Sequence, residues 1–184
     1  MVLVDGHVFG WGANSVGQLG IGNLQNQYLP HKLPIEGHFN QFSFGQFHCL
    51  LLKSDQTILA CGSNEQGQLG NQPYSPMKTP SEISGLSGVI QIACGSAHSM
   101  ALLNNGDVYS WGANKSGQLG IGKNTKNQFS PTKIDSIVSF IQIDCGEDFS
   151  MGLTKDGDLY SWGINPHPSK RERFVKLLKP QKVA

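Results

Sequence analysis

Two histidines, three clustered carboxylates and four cysteines are the side chains of this 184-residue sequence whose types invite chemistry. A histidine beside a carboxylate or a hydroxyl is the raw material of general acid–base catalysis. His48 and His98, however, stand in the same slot of two related segments, and Phe149 holds that slot in a third. A residue that returns with a repeat serves the repeat, so both read as structural histidines bonded to a neighbouring turn. Asp144, Glu147 and Asp148 replace Ala93, Ser96 and Ala97 of the preceding segment. They make a negative patch with no basic or nucleophilic residue nearby in sequence. Cys94 and Cys145 are again equivalent, and Cys61 stands where related segments have Trp, which reads as buried, reduced core. The chain has no CxxC pair, phosphate-binding GxxxxGK[ST] loop, GxSxG elbow or HExxH helix. No catalytic residue, metal site or cofactor is expected.

The elements that carry these residues repeat. WGANSVGQLG (Trp11 to Gly20) returns as CGSNEQGQLG from Cys61 and WGANKSGQLG from Trp111, and a worn copy, WGIN, starts at Trp162. A fixed period near fifty residues marks a repeat architecture. Within a unit, VIQIAC (Val89 to Cys94) alternates as a strand A does. A glycine turn leads to strand B (Ser99 to Leu103), and Asn104 to Asp107 turns the chain into strand C (Val108 to Gly112). Asn and Gly supply the positive φ of hairpin turns, so the strands are antiparallel neighbours. Ser54 to Thr57 is the one such turn without glycine, and a different turn is expected there. After strand C comes the long GQLG loop, then a strand D opened by Pro30, Pro80, Pro131 or Pro180. Proline has no N–H to donate, which places D at a sheet edge.

A four-stranded sheet with two apolar faces must stack on its neighbours, and radial stacking makes a β-propeller. The fold class is therefore all-β, with blades of four antiparallel strands. The divisions are residues 1–34, a half blade of strands C and D preceded by the end of B; 35–84; 85–135; and 136–184, a blade whose loop is degenerate. In every loop the leucine, Leu19, Leu69 or Leu119, is expected to plug the gap to the next blade.

On these motifs, together with C-G-x-x-H-S-x-A-L from Cys94 and the Y-S-W-G ends of strand C, the chain resembles the regulator of chromosome condensation (RCC1) repeat family. The Gly-Gly doublet of kelch repeats and the Trp-Asp of WD repeats are both missing. The resemblance implies a seven-bladed propeller, of which this chain is about half. A fragment or truncated product of a longer gene is the expected reading, against a self-sufficient monomer, and the open edges of a half-ring invite self-association. Family members include exchange factors for a small GTPase, chromatin binders and interaction domains attached to ubiquitin ligases. A light-sensing member carries tryptophans just after strand A, where this chain has Gln46, Ser96 and Glu147.

The function expected is that of a non-enzymatic module holding a protein partner. Its contacts are assigned to the turn after strand A: Gln46, Phe47, Ser96, Ala97, Glu147 and Asp148. The alternatives are guanine-nucleotide exchange on a small GTPase, disfavoured by uniform spacing without an inserted hairpin, or service beside a fused catalytic domain. Net charge is +1, yet six of the fourteen Lys and Arg lie after residue 169. Lys170, Arg171 and Arg173 are the basic patch through which nucleic acid or chromatin would bind, against a plainer reading as a solvated last strand. With no long apolar run and no signal-like start, no membrane is expected, and a cytoplasmic or nuclear place is.

Overall fold

The computed structural model describes residues 1–71, 76–122, 126–165 and 175–183. Their regular elements are all strands, in four antiparallel sheets. The first is β1 (Val2–Val4), β2 (His7–Gly12) and β3 (Gln27–Lys32); the second is β4 (Phe39–Phe44), β5 (His48–Lys53), β6 (Ile58–Gly62) and β7 (Met77–Glu82). The third is β8 (Val89–Cys94), β9 (His98–Leu103), β10 (Val108–Gly112) and β11 (Gln128–Lys133); the fourth is β12 (Phe140–Cys145), β13 (Phe149–Thr154), β14 (Leu159–Asn165) and β15 (Val175–Lys182). Strands follow one another in space as in sequence, and every proline-bearing strand D is an outer edge. In the first blade the end of strand B, Val2–Val4, is long enough to pair with His7–Phe9 of strand C.

Each interface between blades is a hydrophobic core. Val8, Leu19 and Leu33 of the first blade meet Phe39, Leu51 and Cys61 of the second. Leu50, Leu52 and Leu69 of the second meet Ile92, Ala101, Leu103 and Trp111 of the third. Met100, Leu102 and Val108 of the third meet Phe140, Ile143 and Trp162 of the fourth. Period-two alternation explains why β9 is buried along its whole length. Ala101 and Leu103 face one neighbour while Met100 and Leu102 face the other, so both sides of the strand are apolar.

The GQLG loop is a clasp. The Asn14, Asn64 and Asn114 side-chain oxygens accept from the N–H of Leu19, Leu69 and Leu119 at 2.9, 3.0 and 3.2 Å, and the leucines are buried as expected. The loop glutamine folds back on its own turn, while its main-chain oxygen reaches the next blade: Gln68 O accepts from Ser99 Oγ at 2.8 Å and Trp111 Nε1 at 2.9 Å. Trp11, in the slot of Trp111, has no such loop over it among the described residues and is 40% exposed, against 0% for Trp111.

The turn without glycine does not differ after all. Gln56 adopts φ 71°, close to the 85° of Gly106 and Gly157, and its N–H bonds Lys53 O just as Gly106 N–H bonds Leu103 O. The hairpin register imposes the left-handed conformation on a residue that resists it. Gln56→Gly is therefore expected to raise stability by about 1 kcal/mol, a Tm increase of about 2–4 °C by circular dichroism. An unchanged or lower Tm would show that glutamine bears no strain there.

Candidate functional site

The turns after strand A form a ladder along the inner edge of the blades. Gln46 N–H donates to Ser96 O and Ser96 N–H to Glu147 O, both at 3.0 Å. Ser96 Oγ donates to Gln46 Oε1 at 3.1 Å. Backbone thus ties three turns, from three blades, into one surface. Of the six expected contact residues, Gln46, Ser96 and Glu147 are brought together, lining an open hollow of about 340 Å³ with Phe44, Cys94 and Cys145. Phe47, Ala97 and Asp148 do not line it. Their main-chain oxygens bind Ser63, Ala113 and Ile164 N–H of their own blades. Phe47, next in the chain to Gln46, is 45% exposed, while Asp148 Oδ1 accepts from Gln118 Nε2 at 3.1 Å. The three carboxylates therefore do not form one patch. Asp144 Oδ1 accepts from the Cys145 N–H at 2.8 Å and lies on the outer face of the last blade, leaving Glu147 alone at the hollow.

The histidines are structural, but their partner is a strand hydroxyl rather than a turn. His48 Nε2 lies 2.9 Å from Ser99 Oγ, and His98 Nε2 lies 2.9 Å from Ser150 Oγ. Both serines give their own proton to a loop carbonyl, Gln68 O and Gln118 O. Each must then accept from the imidazole, which assigns the neutral tautomer protonated at Nε2. Burial pushes His48 down to about 4 and, with the charge of His48 as a lesser cause, His98 down to about 3. These rings are not poised to exchange protons near neutral pH. Burial likewise pushes the Cys94 thiol up to about 12, far from a reactive thiolate, and all four cysteines are free.

A glutamine on each strand A was missed as a functional position. Gln41 Oε1 accepts from Ile92 N–H and its Nε2 donates to Ile92 O, both at 3.0 Å. Gln91 repeats this on Ile143, at 2.9 and 2.7 Å. The amide mimics a peptide and extends the ladder sideways between blades. The signal was present in FNQFSF, VIQIAC and FIQIDC, where glutamine holds the third place of all three strands while the other polar positions change from one strand to the next. Gln91→Ala removes both partners of Ile143, and partial access to water limits the loss to about 1–2 kcal/mol, measurable as a lower urea midpoint. No change would mean that solvent replaces the amide fully.

Lys170, Arg171 and Arg173 lie outside the described residues. Of the cations that follow, Lys179 pairs with Asp135 at 3.3 Å and Lys182 with Asp158 at 2.7 Å. Lys176 Nζ donates to Lys115 O at 2.7 Å. Among the described residues there is no helix long and apolar enough to cross a membrane and no group of three or more His, Cys, Asp or Glu fit to hold a metal ion.

Comparison with known proteins agrees with this architecture. A family model described as RCC1-like domain matches residues 1–170. Human WBSCR16 is 25% identical with a TM-score of 0.86 over 99% of this chain and 48% of its own. Yeast RCC1 (Prp20), solved with Kap60, is 24% identical with a TM-score of 0.82 over 95% of this chain and 44% of that one. Prp20p has also been characterised for its binding to Gsp1p and histones. A human protein described as probable E3 ubiquitin-protein ligase HERC6 is 37% identical over 67 residues, 34% of this chain and 7% of that protein. The chain thus spans about half the length of the solved propellers it matches and a small part of the ligase.

Proposed function

The chain belongs to the RCC1-like domain family, and on that premise we propose that it is a non-enzymatic interaction module that holds a protein partner on the turn ladder. The observation that carries this reading is the ladder itself. Gln46, Ser96 and Glu147 are fixed relative to one another by bonds between blades, and Phe47 stands exposed beside them. A preformed surface with an aromatic anchor loses little entropy on binding. A soluble protein partner in the cytoplasm or nucleus suits this surface.

Affinity capture with the wild-type chain and its Phe47→Asp and Glu147→Lys variants, matched for folding by circular dichroism, tests the assignment. The expected result is a protein partner retained by wild type and lost by the variants. Identical retention by all three would move the contact surface elsewhere. Exchange on a GTPase is distinguished by release of labelled GDP from yeast Gsp1p, a known partner of a relative. The rate is expected to stay at its intrinsic value, since the described blades follow one strand order without an inserted element. Chromatin or nucleic-acid binding through Lys170, Arg171 and Arg173 would instead show steep salt dependence, abolished by substituting the three. With Lys179 and Lys182 already paired to carboxylates, little such binding is expected.

A further inference from the structure

The second repeat departs from its neighbours at two positions that face each other. Where the third and fourth blades carry Ser99 and Ser150 on strand B, the second carries Cys49; where they carry Trp111 and Trp162 on strand C, it carries Cys61. Ser99 is the register partner of Trp111 and Ser150 of Trp162, and Cys49 is likewise that of Cys61. Residues directly opposite in an antiparallel pair point to one face of the sheet. Phe47 O accepts from Ser63 N–H and Lys53 N–H donates to Thr57 O. Bonded and unbonded pairs alternate along the ladder, so Cys49 and Cys61 are a bonded pair. Their Cα atoms are then about 5.5 Å apart, inside the window of about 4.4–6.8 Å in which disulfides close. Both residues are buried in the core of the joint between the first and second blades. Burial, and next the contact with Cys61, holds the Cys49 thiol well above its ordinary range, so the pair is inert while that joint is closed.

The same two replacements weaken the joint. Ser99 and Trp111 both donate to Gln68 O, at 2.8 and 2.9 Å, and Ser99 receives the His48 ring. At the first joint the matching carbonyl, Gln18 O, accepts from Cys61 Sγ at 3.6 Å and from no other donor among the described residues. The Cys49 thiol turns instead to Leu50 O at 3.5 Å. Among the described residues, the other hydrogen bond across this joint runs from Gly22 N–H to Lys78 O at 2.9 Å. A thiol is a weak donor, so this joint opens before the others, and its opening admits an oxidant.

We propose that Cys49 and Cys61 are a dithiol pair that a peroxide converts to a disulfide, and that the disulfide loosens the joint between the first two blades. One sulfur, as thiolate, takes an oxygen from the peroxide, whose O–O bond breaks with release of a water. The second sulfur displaces that oxygen as a second water. Two protons and two electrons pass from the thiols to the oxidant, and one S–S bond forms. Cys61 then has no proton to give, and Gln18 O is left in a buried residue without a donor. In a reducing compartment the bond is transient, as a sensor requires.

The test treats the folded full chain with hydrogen peroxide, alkylates the remaining thiols and maps tryptic peptides by mass spectrometry. Cleavage after lysine puts each cysteine in its own peptide, Cys49 in residues 33–53 and Cys61 in residues 54–78. The expected product is these two peptides linked, and dithiothreitol separates them. Amide exchange at Gly22 reads the first joint; the reference is Gly122, whose N–H donates to Leu178 O between the third and fourth blades. Oxidation is expected to speed Gly22 exchange by roughly threefold to tenfold and to leave Gly122 unchanged. Cys61→Ala should exchange fast at Gly22 with or without peroxide, whereas Cys49→Ala should stay slow in both. The proposal is overturned by unlinked peptides from the folded chain, by links to Cys94 or Cys145 in their place, or by an oxidised chain in which Gly22 is no faster or Gly122 accelerates equally.

Discussion

Gly95→Ala is expected to destabilise the chain by about 3 kcal/mol or more, lowering Tm by roughly 6–12 °C. Gly95 is not in the left-handed region, so the reason is space and not backbone freedom. A Cβ there would fall within the His98 ring and lie 2.6 Å from Gly146 O. The ring cannot retreat, because its Nε2 is held by Ser150 across the interface. Either the two blades separate or the hydrogen bond is lost. The same geometry recurs for Gly45 under His48 and Gly146 under Phe149, which is why that slot takes a flat ring whether or not the ring can donate. Gly95→Ala combined with His98→Ser should recover part of the loss, since the smaller side chain vacates the space. A Gly95→Ala chain as stable as wild type by thermal denaturation would show that the blades yield more easily than this packing implies.

The second large effect is acid instability beginning well above the range in which carboxylates titrate. Unfolded, His48 and His98 have ordinary pKa values near 6.5; folded, they are lowered to about 4 and about 3. The imidazolium would place its second proton on Nδ1, which is buried with no acceptor in either residue. Between pH 6.5 and 4, then, the unfolded chain binds protons that the folded chain refuses, and stability falls as pH falls. Each histidine contributes a slope of about 1.4 kcal/mol per pH unit, so that at pH 5 the two together remove about 4 kcal/mol. Asp55, held down to about 2 chiefly by hydrogen bonds from Thr57, adds a loss of the same sign at still lower pH. Guanidinium midpoints measured from pH 7.5 to 5 should fall steeply, and a His48→Gln/His98→Gln chain should show a flatter profile. Parallel profiles for the two chains would mean that the rings titrate freely in the folded state.

The turn positions illustrate how far local reading reaches. Gln46, Ser96 and Glu147 were identifiable because they vary within a constant frame, and the structure gathers them around one hollow. Their neighbours vary just as much, yet Asp148 is turned to Gln118, a residue of another blade. Variation marks a position as free of the repeat's own needs without saying which way its side chain faces. At Gln56 a missing glycine suggested a different turn, but two paired strands dictate the turn more strongly than one residue's preference.

What the sequence determined by itself is everything that depends on near neighbours. Strand alternation, turn chemistry, proline edges, the GQLG loop and the period near fifty residues each arise within a few positions, and together they specify four stacked sheets. The tertiary structure decided the partners that lie about fifty residues away. It set His48 on Ser99, Gln41 on Ile92 and the turns on one another, and it buried Trp111 while leaving Trp11 open. These contacts depend on how one blade is rotated and raised against the next. That geometry emerges only when both faces of a sheet are packed at once, and no single repeat carries it.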